Sequence, residues 1–403
     1  MAMSSSVLET NLPGPRLLVV DDNEDNRYTL TLQLEIEGYQ NIAVAENGEE
    51  ALELLQKQEF DLVLLDVMMP KLDGYQVLEQ LKSEGRLHNI PVVMISALNE
   101  IASVVKCIVL GAEDYLPKPF DPVLLRARVG ASLEKKRLRD EVRAHLTRVE
   151  EELESARELQ MSMVPNIFPP PCKERPIEIF AMMEPAREVG GDLYDFFESA
   201  DGNLCFLIGD VSGKGIPAAL FMARTKNLVR LITRLARGGD GTALAPSDII
   251  AMVNQELCQD NAGLMFVTLF FGVFRLDSGE LQFCNAGHNP PYRLRDTTVE
   301  QVPDIKGRPL GLRTDSRYET ITLSMAPGDM LYLYSDGITE ATDFNGALFS
   351  EQRLEAALLG APGAGTTAVV DAVADAVKRF VGEAQQSDDI TAMAMRFMDA
   401  TRL

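Results

Sequence analysis

Over the first third of the chain, unbroken apolar runs ending in an acid, a hydroxyl or a lysine alternate with amphipathic stretches. Leu17-Leu18-Val19-Val20 runs into Asp21-Asp22, and Leu62 to Leu65 runs into Asp66. Pro91 to Ile95 ends at Ser96, and Asp114 to Pro117 ends at Lys118. Between them the spacing predicts a helix over 28–37 stopped by Gly38, a short strand at 42–44 and a helix over 49–56 after Asn47-Gly48. Strands that are apolar at every position, rather than at alternate ones, are those buried on both faces. The pattern therefore predicts an α/β domain, a doubly wound parallel five-stranded sheet covered by helices. Sites in such sheets form at the carboxyl ends of the strands. Asp21, Asp22, Asp66, Ser96 and Lys118 all fall there.

From Glu134 to Val164 the chain is strongly charged and free of Gly and Pro. Val142, Leu146, Val149, Leu153, Ala156, Gln160 and Met163 recur at alternating spacings of four and three, and six of the seven are apolar. That is the seam of a coiled coil about three heptads long. A single amphipathic helix lying on a neighbouring domain would carry the same stripe. Pro165 and Phe168-Pro169-Pro170-Pro171 end the helix.

Short β-type runs then dominate, at 204–208, 266–274, 281–284 and 330–334, with Asp277-Ser278-Gly279-Glu280 as a turn between two of them. Helical patterns interrupt them at 216–234, 246–258, 350–359 and 366–381. This mixture predicts an α+β domain, an antiparallel β-sandwich flanked by helices. The organisation read from the sequence is a disordered tail at 1–15, an α/β domain at 16–132, a helical coiled-coil linker at 133–168 and a second domain at 169–403.

Composition narrows the function. A chain of 403 residues with 46% apolar and 25% charged residues has the make-up of a soluble globular protein of two or three domains. Its net charge of −23 repels phosphodiester backbones, so no nucleic acid is expected as partner and a transcription factor is disfavoured. The five cysteines show no paired CxxC spacing and read as reduced thiols of a cytoplasmic protein. The amino-terminal residues do not read as a signal peptide. The longest apolar run, residues 262–274, falls short of the roughly 18 residues of a membrane span, so no membrane association is expected.

The strand-end residues of the first domain suit phosphoryl acceptance. Asp21 and Asp22 would hold one Mg2+ together with the Asp66 carboxylate and the backbone carbonyl of Met68. Asp66 would attack phosphorus, Lys118 would pair with the resulting acyl phosphate and Ser96 would hydrogen-bond to it. The set resembles the receiver domain of two-component response regulators, through Val20-Asp21-Asp22, Leu65-Asp66-Val67-Met68-Met69-Pro70, Asp73-Gly74, Ser96-Ala97 and Lys118-Pro119, the last expected as a cis peptide. The resemblance implies that Asp66 is phosphorylated by a sensor histidine kinase or phosphotransfer protein, and that Tyr115 is the aromatic that rotates in response.

In the second domain Asp192 (in Gly190-Gly191-Asp192), Asp210 (in Gly209-Asp210-Val211-Ser212-Gly213), Asp336 (in Tyr334-Ser335-Asp336-Gly337) and Asp388 (in Ser387-Asp388-Asp389-Ile390-Thr391) are expected in Gly-containing turns. Oxygen-only ligands without His or Cys favour magnesium or manganese over zinc. With Phe266-Val267-Thr268 and Ala286-Gly287-His288-Asn289-Pro290, these stretches resemble the PPM-type serine/threonine phosphatases, in the bacterial branch of sporulation and stress sigma-factor regulators. The resemblance implies two Mn2+ or Mg2+ ions, bridged by Asp210, with the Val211 carbonyl on the second, Asp336 and Asp388 on the first and Asp192 at the metal–water shell. Gly190, Gly191, Gly213 and Gly337 are expected to let backbone approach the ions. Asp389 competes with Asp388 for its role, Asp195 reads as a turn or helix-cap acid, and His288 and Arg187 read as loop and surface residues rather than catalysts.

Together these readings describe a response regulator whose Asp66 phosphorylation controls a metal-dependent protein phosphatase. The substrate implied is a phosphoserine or phosphothreonine protein, an anti-sigma-factor antagonist in a partner-switching pathway, and the chain is expected to pair as a homodimer through the linker. The competing reading is a receiver-controlled, non-catalytic adaptor that has kept only the phosphatase fold.

Overall fold

The computed structural model describes residues 14–97, 101–169, 171–172, 175–238, 242–303, 307–361 and 363–399. The tail expected at 1–15 lies, except for its last two residues, outside them. The chain divides into two compact units between Val149 and Glu150.

In the first unit β1 (Arg16–Val20), β2 (Asn41–Ala45), β3 (Leu62–Asp66), β4 (Val92–Ser96) and β5 (Asp114–Pro117) form a parallel sheet in the order β2-β1-β3-β4-β5. Successive side chains along a strand point to opposite faces. Leu18, Val20, Val63, Leu65 and Met94 accordingly pack against α2 (Gly48–Lys57), α3 (Gly74–Ser83) and Cys107 of α4 (Ile101–Leu110). Leu17, Val19, Leu62, Leu64, Val93 and Ile95 pack on the other face against Leu30 and Leu34 of α1 (Glu24–Ile36) and Leu125 and Val129 of α5 (Pro122–Met163). This double burial is why the runs are apolar throughout. α1 begins four residues before its periodicity, because the Asn23 side chain accepts from the backbone N–H of Asp25 and Asn26 and caps the first turn. The Lys118-Pro119 peptide is cis, as expected.

α5 is one helix of 42 residues. The change in composition at 133 is therefore not a break in structure: Gly130 is tolerated and no proline interrupts. Val142, Leu146 and Val149 are 47–59% exposed, so this part of the seam faces solvent in the single chain. Gln160, by contrast, is buried, and Val164 belongs to the core of the second unit.

That second unit is a sandwich of two five-stranded sheets. One has the order β13-β10-β9-β8-β7, from β7 (Leu193–Glu198), β8 (Leu204–Val211), β9 (Val267–Phe274), β10 (Glu280–Ala286) and β13 (Ile321–Ser324). The other has the order β12-β11-β14-β15-β6, from β6 (Ile177–Glu184), β11 (Tyr292–Arg295), β12 (Thr298–Gln301), β14 (Met330–Tyr334) and β15 (Ile390–Phe397). Phe206, Ile208, Phe270 and Phe283 of the first sheet meet Ile179, Leu331, Leu333 and Met393 of the second in the central core. The alternate residues face outward. Cys205, Leu207, Leu269 and Phe271 receive α6 (Ile216–Leu235) and α7 (Pro246–Cys258). Tyr332, Tyr334, Ala392 and Ala394 receive α9 (Ser350–Leu359) and α10 (Thr366–Val381). Among the described residues no helix is long and apolar enough to cross a membrane.

Asp195 is neither a turn residue nor a cap. It lies on β7, fully buried, and accepts from Arg230 Nε at 2.8 Å and Nη2 at 2.5 Å, with Lys226 Nζ at 3.2 Å; both cations come from α6. The acid thus neutralises a buried lysine between sheet and helix. Asp195→Ala is expected to cost about 3 kcal/mol, because it strands the Lys226 charge in the interior. A lowered urea midpoint checks this, and an unchanged midpoint would show the pair to be dispensable.

Candidate functional site

At the carboxyl end of the parallel sheet, Asp21 and Asp22 follow β1 and Asp66 closes β3, with carboxylate oxygens within 4.8 Å of one another. Lys118, just past β5, reaches Asp21 Oδ2 at 2.7 Å and Asp66 Oδ2 at 3.0 Å. Burial raises the Asp66 carboxyl while the Lys118 hydrogen bond pulls it back. Lys118 loses charge stability to burial, but its two carboxylate partners more than restore it. Ser96 is buried at the end of β4, and the hydroxyl of half-buried Tyr115 donates to the Ser96 carbonyl at 3.4 Å. The Met68 side chain is exposed; the role expected of this residue needs only its carbonyl. Two positioning residues were not foreseen. Arg27 Nη1 donates to the carbonyls of Asp21 and Asp22 at 2.9 and 3.1 Å, and Asn26 Nδ2 donates to Asp21 Oδ1 at 3.1 Å.

In the sandwich, two acids come from each sheet. Asp192 immediately precedes β7, and Asp210 sits within β8, opposite Thr268 of β9, rather than in the turn that follows. Asp336 opens the short helix α8 (Asp336–Thr339) after β14, and Asp388 stands two residues before β15. The folded chain brings the four together closely enough to repel. Burial and then Asp210 push Asp192 well above the carboxylate range. Burial, Asp336 and Asp388 push Asp210 up to about 7. Burial, Glu340 and Asp388 raise Asp336. Asp192 Oδ2 is buried without a hydrogen-bond partner. Carboxylates in such a cluster are comfortable as anions only beside a compensating cation. The oxygen-only donor set fits magnesium or manganese. Among the described residues three acids converge within 4.8 Å only in the first unit; a site for two ions about 4 Å apart spreads its ligands more widely.

The neighbouring acids Asp388 and Asp389 have different environments. Asp389 accepts from the backbone N–H of Ala186 at 2.8 Å, Gly191 at 2.6 Å and Asp192 at 3.3 Å, so its carboxylate is committed to the Gly190-Gly191-Asp192 loop. Asp388 is more exposed and pairs with Lys214 Nζ at 3.2 Å, whose ammonium also donates to the Ser387 carbonyl. Asp388 is thus the one of the two whose carboxylate is not committed to that loop. The glycines also differ from expectation. A Cβ at Gly190 would strike the Asp389 carboxylate, and one at Gly337 would strike the Asp389 carbonyl. These two are small because the Asp389 segment packs against them, not to admit an ion. The Val211 carbonyl faces Gly191, so it too lies on the Asp192 loop.

His288 is buried, with Nδ1 2.9 Å from Thr268 Oγ1 and its main chain bonded in both directions to the Asn285 side chain. Burial lowers it to about 4, which favours the neutral imidazole. Arg187 is exposed. Two residues at the site carried no sequence signal: Lys214, which pairs with Asp388, and Gln160, whose amide holds the Asp192 loop from the linker helix.

Residues 17–130 match the family model of the response regulator receiver domain, and residues 200–398 match that of stage II sporulation protein E. Protein IcfG of Synechocystis is 30% identical over 264 residues, covering 60% of this chain and 41% of that protein. The phosphoserine phosphatase RsbU of Bacillus subtilis is 31% identical over 202 residues, covering 50% of this chain and 57% of RsbU. The chain thus spans about half the length of these curated relatives. The solved SiaA-PP2C domain of Pseudomonas aeruginosa superposes with a TM-score of 0.54 at 22% identity, over 63% of this chain and 99% of that domain, a likeness of fold.

Proposed function

We propose that this chain, in which a response regulator receiver domain precedes a PPM-type phosphatase domain of the stage II sporulation protein E kind, is a phosphorylation-controlled, metal-dependent protein serine/threonine phosphatase. The receiver is assigned to 16–132, the linker to 133–168 and the phosphatase to 169–403. The observation that carries the reading is the cluster of Asp192, Asp210, Asp336 and Asp388, in which Asp210 raises the Asp192 carboxyl, Asp336 and Asp388 raise Asp210, and Asp388 raises Asp336. A scaffold would gain by losing such repulsion, so its retention favours catalysis over the adaptor reading.

Two Mn2+ or Mg2+ ions, when bound, neutralise the phosphate and lower the pKa of water. Asp210, Asp336 and Asp388 would hold them, with the Val211 carbonyl, and Asp192 would orient water at the same centre. Lys214, beside Asp388, adds a positive charge on the exposed side, where a phosphoryl group would enter. In the receiver, a phosphoryl group passes from a kinase or phosphotransfer histidine to Asp66: the P–N bond breaks and a P–O bond forms. Asp21, Asp22, Asp66 and the Met68 carbonyl would hold Mg2+ there, and Lys118 would pair with the product. Tyr115 and Ser96 register the change. The substrate is a folded phosphoserine or phosphothreonine protein, an anti-sigma-factor antagonist of the partner-switching kind, and the protein is cytoplasmic.

The test of this reading is release of phosphate by the full-length chain with Mn2+. Phosphoserine on a protein is expected to turn over at least about tenfold faster than a phosphotyrosine peptide. Equal rates would remove the substrate class, and activity that survives exhaustive chelation would remove the metal centre.

A further inference from the structure

We infer that a cavity at the outer edge of the sandwich, with Arg396 in its wall, binds a small carboxylate that carries an apolar body. The site is separate from the metal-site acids, and the inference stands independently of the phosphatase reading.

The cavity, of about 130 Å3, lies between the β11–β12 hairpin, the connection from α9 to α10 and the far end of β15. On the paired strands β14 and β15, Met330 stands opposite Arg396 at one end and Tyr334 opposite Ala392 at the other. Asp336 and Asp388 flank the second end, whereas the cavity is at the first. Four residues of strand set the two ends on the order of 13 Å apart. Leu294, Val299, Met330, Leu358 and Val369 line the cavity, and all five belong to the core between this sheet and its two helices.

Arg396, half-buried, breaks this apolar lining. Its Nε is shut off from solvent with no hydrogen-bond partner, Nη1 reaches only the Ala364 carbonyl at 3.4 Å, and among the described residues it makes no ion pair. The acid best placed to neutralise it is engaged elsewhere. Glu178 stands opposite Arg396 across β6 and β15, but its Oε1 accepts from the Thr366 N–H at 3.3 Å, at the start of α10. Asp296, the acid that lines the cavity, is at the exposed hairpin turn, where Arg295 faces its charge. A partly buried, unpaired cation is costly, and its unspent donors call for a partner. The two Nη atoms of a guanidinium form a planar fork that a carboxylate meets with two parallel hydrogen bonds. The apolar walls then select what carries the carboxylate. An apolar cavity of about 150 Å3 takes up a benzene ring, so a single ring or a short branched chain fills this one. Inorganic phosphate or sulfate would satisfy the arginine but leave the walls uncovered.

The test is calorimetric titration of benzoate into the full-length chain in metal-free buffer. Arg396→Met keeps the apolar stem and loses the charge. Leu294→Trp, at a half-buried position, fills the cavity and leaves Arg396 in place. Wild type is expected to give a saturable isotherm, and each variant to weaken it by at least about tenfold, the share of a charged hydrogen-bonded contact. Acetate, which has the carboxylate without the body, and benzyl alcohol, which has the ring without the charge, are expected to bind at least about tenfold more weakly than benzoate. No saturable benzoate binding by the wild type would leave Arg396 to water and overturn the inference. Undiminished binding by folded Arg396→Met, or by Leu294→Trp, would place the anion elsewhere and overturn it as well. Acetate as tight as benzoate would remove the apolar half of the site. If Arg396→Met does not fold, Leu294→Trp decides.

Discussion

Asp210→Asn and Asp336→Asn are each expected to reduce phosphate release from a phosphoserine protein by more than about 100-fold, exceeding the effect of losing an outer positioning residue. The receiver of either variant still takes up phosphate at Asp66 from a small acyl-phosphate donor, which intact-mass measurement reads directly. Stability moves the other way. Burial, Asp336 and Asp388 push the folded Asp210 carboxyl from 3.8 up to about 7. A raised carboxyl contributes its stability below the unfolded value and loses it as pH rises through the folded one. In metal-free buffer Asp210→Asn should therefore match the wild type near pH 4 and exceed it at pH 8, by on the order of 2 kcal/mol. Adding Mn2+ is expected to reverse the order, because only the wild type also gains binding energy at the phosphatase site of the folded state. Melting curves at two pH values, with and without Mn2+, read the crossing. Wild type more stable than Asp210→Asn at pH 8 without metal would show that the acids do not strain one another.

Replacing Leu146 and Leu153 with lysine breaks the linker seam. Val142, Leu146 and Val149 stand 47–59% exposed in the single chain, and burying each against a second copy is worth about 1–2 kcal/mol. A lysine at such a position adds a desolvated charge to the loss. The double variant is expected to sediment as a monomer where the wild type sediments as a dimer. Its basal phosphatase rate and its uptake of phosphate at Asp66 persist, but the change in rate on phosphorylation disappears. The seam has to favour one arrangement by only about 1–3 kcal/mol for a clear response. A variant that still responds fully would make the linker a passive tether.

What the sequence made legible follows from the range of the signals. Strands β1, β3 and β4 were plain because burial on both faces leaves unbroken apolar runs, and α7, α9 and α10 begin and end where their periodicity does. The start of α1 was not, because its cap is polar and gives no apolar signal. The join between receiver and linker was placed on composition, yet nothing there stops a helix. Within the site the acids could be picked out one by one, since each closes or precedes a strand. Their partners could not. Asp195 finds Arg230 35 residues away, and Asp389 is defined by three N–H groups of a distant loop. Gln160 read as the polar member of an apolar seam. Its partner is a backbone group, which leaves no trace in residue type.

The central claim is that the state of Asp66 sets the rate of the phosphatase. The direct measurement is phosphate release from a phosphoserine protein by full-length protein in saturating Mn2+, with and without beryllofluoride, which mimics the acyl phosphate on Asp66. The rate should rise with beryllofluoride in the wild type and stay at its basal value in Asp66→Asn. An identical wild-type rate in both conditions, from protein whose receiver has bound the mimic, would contradict the account.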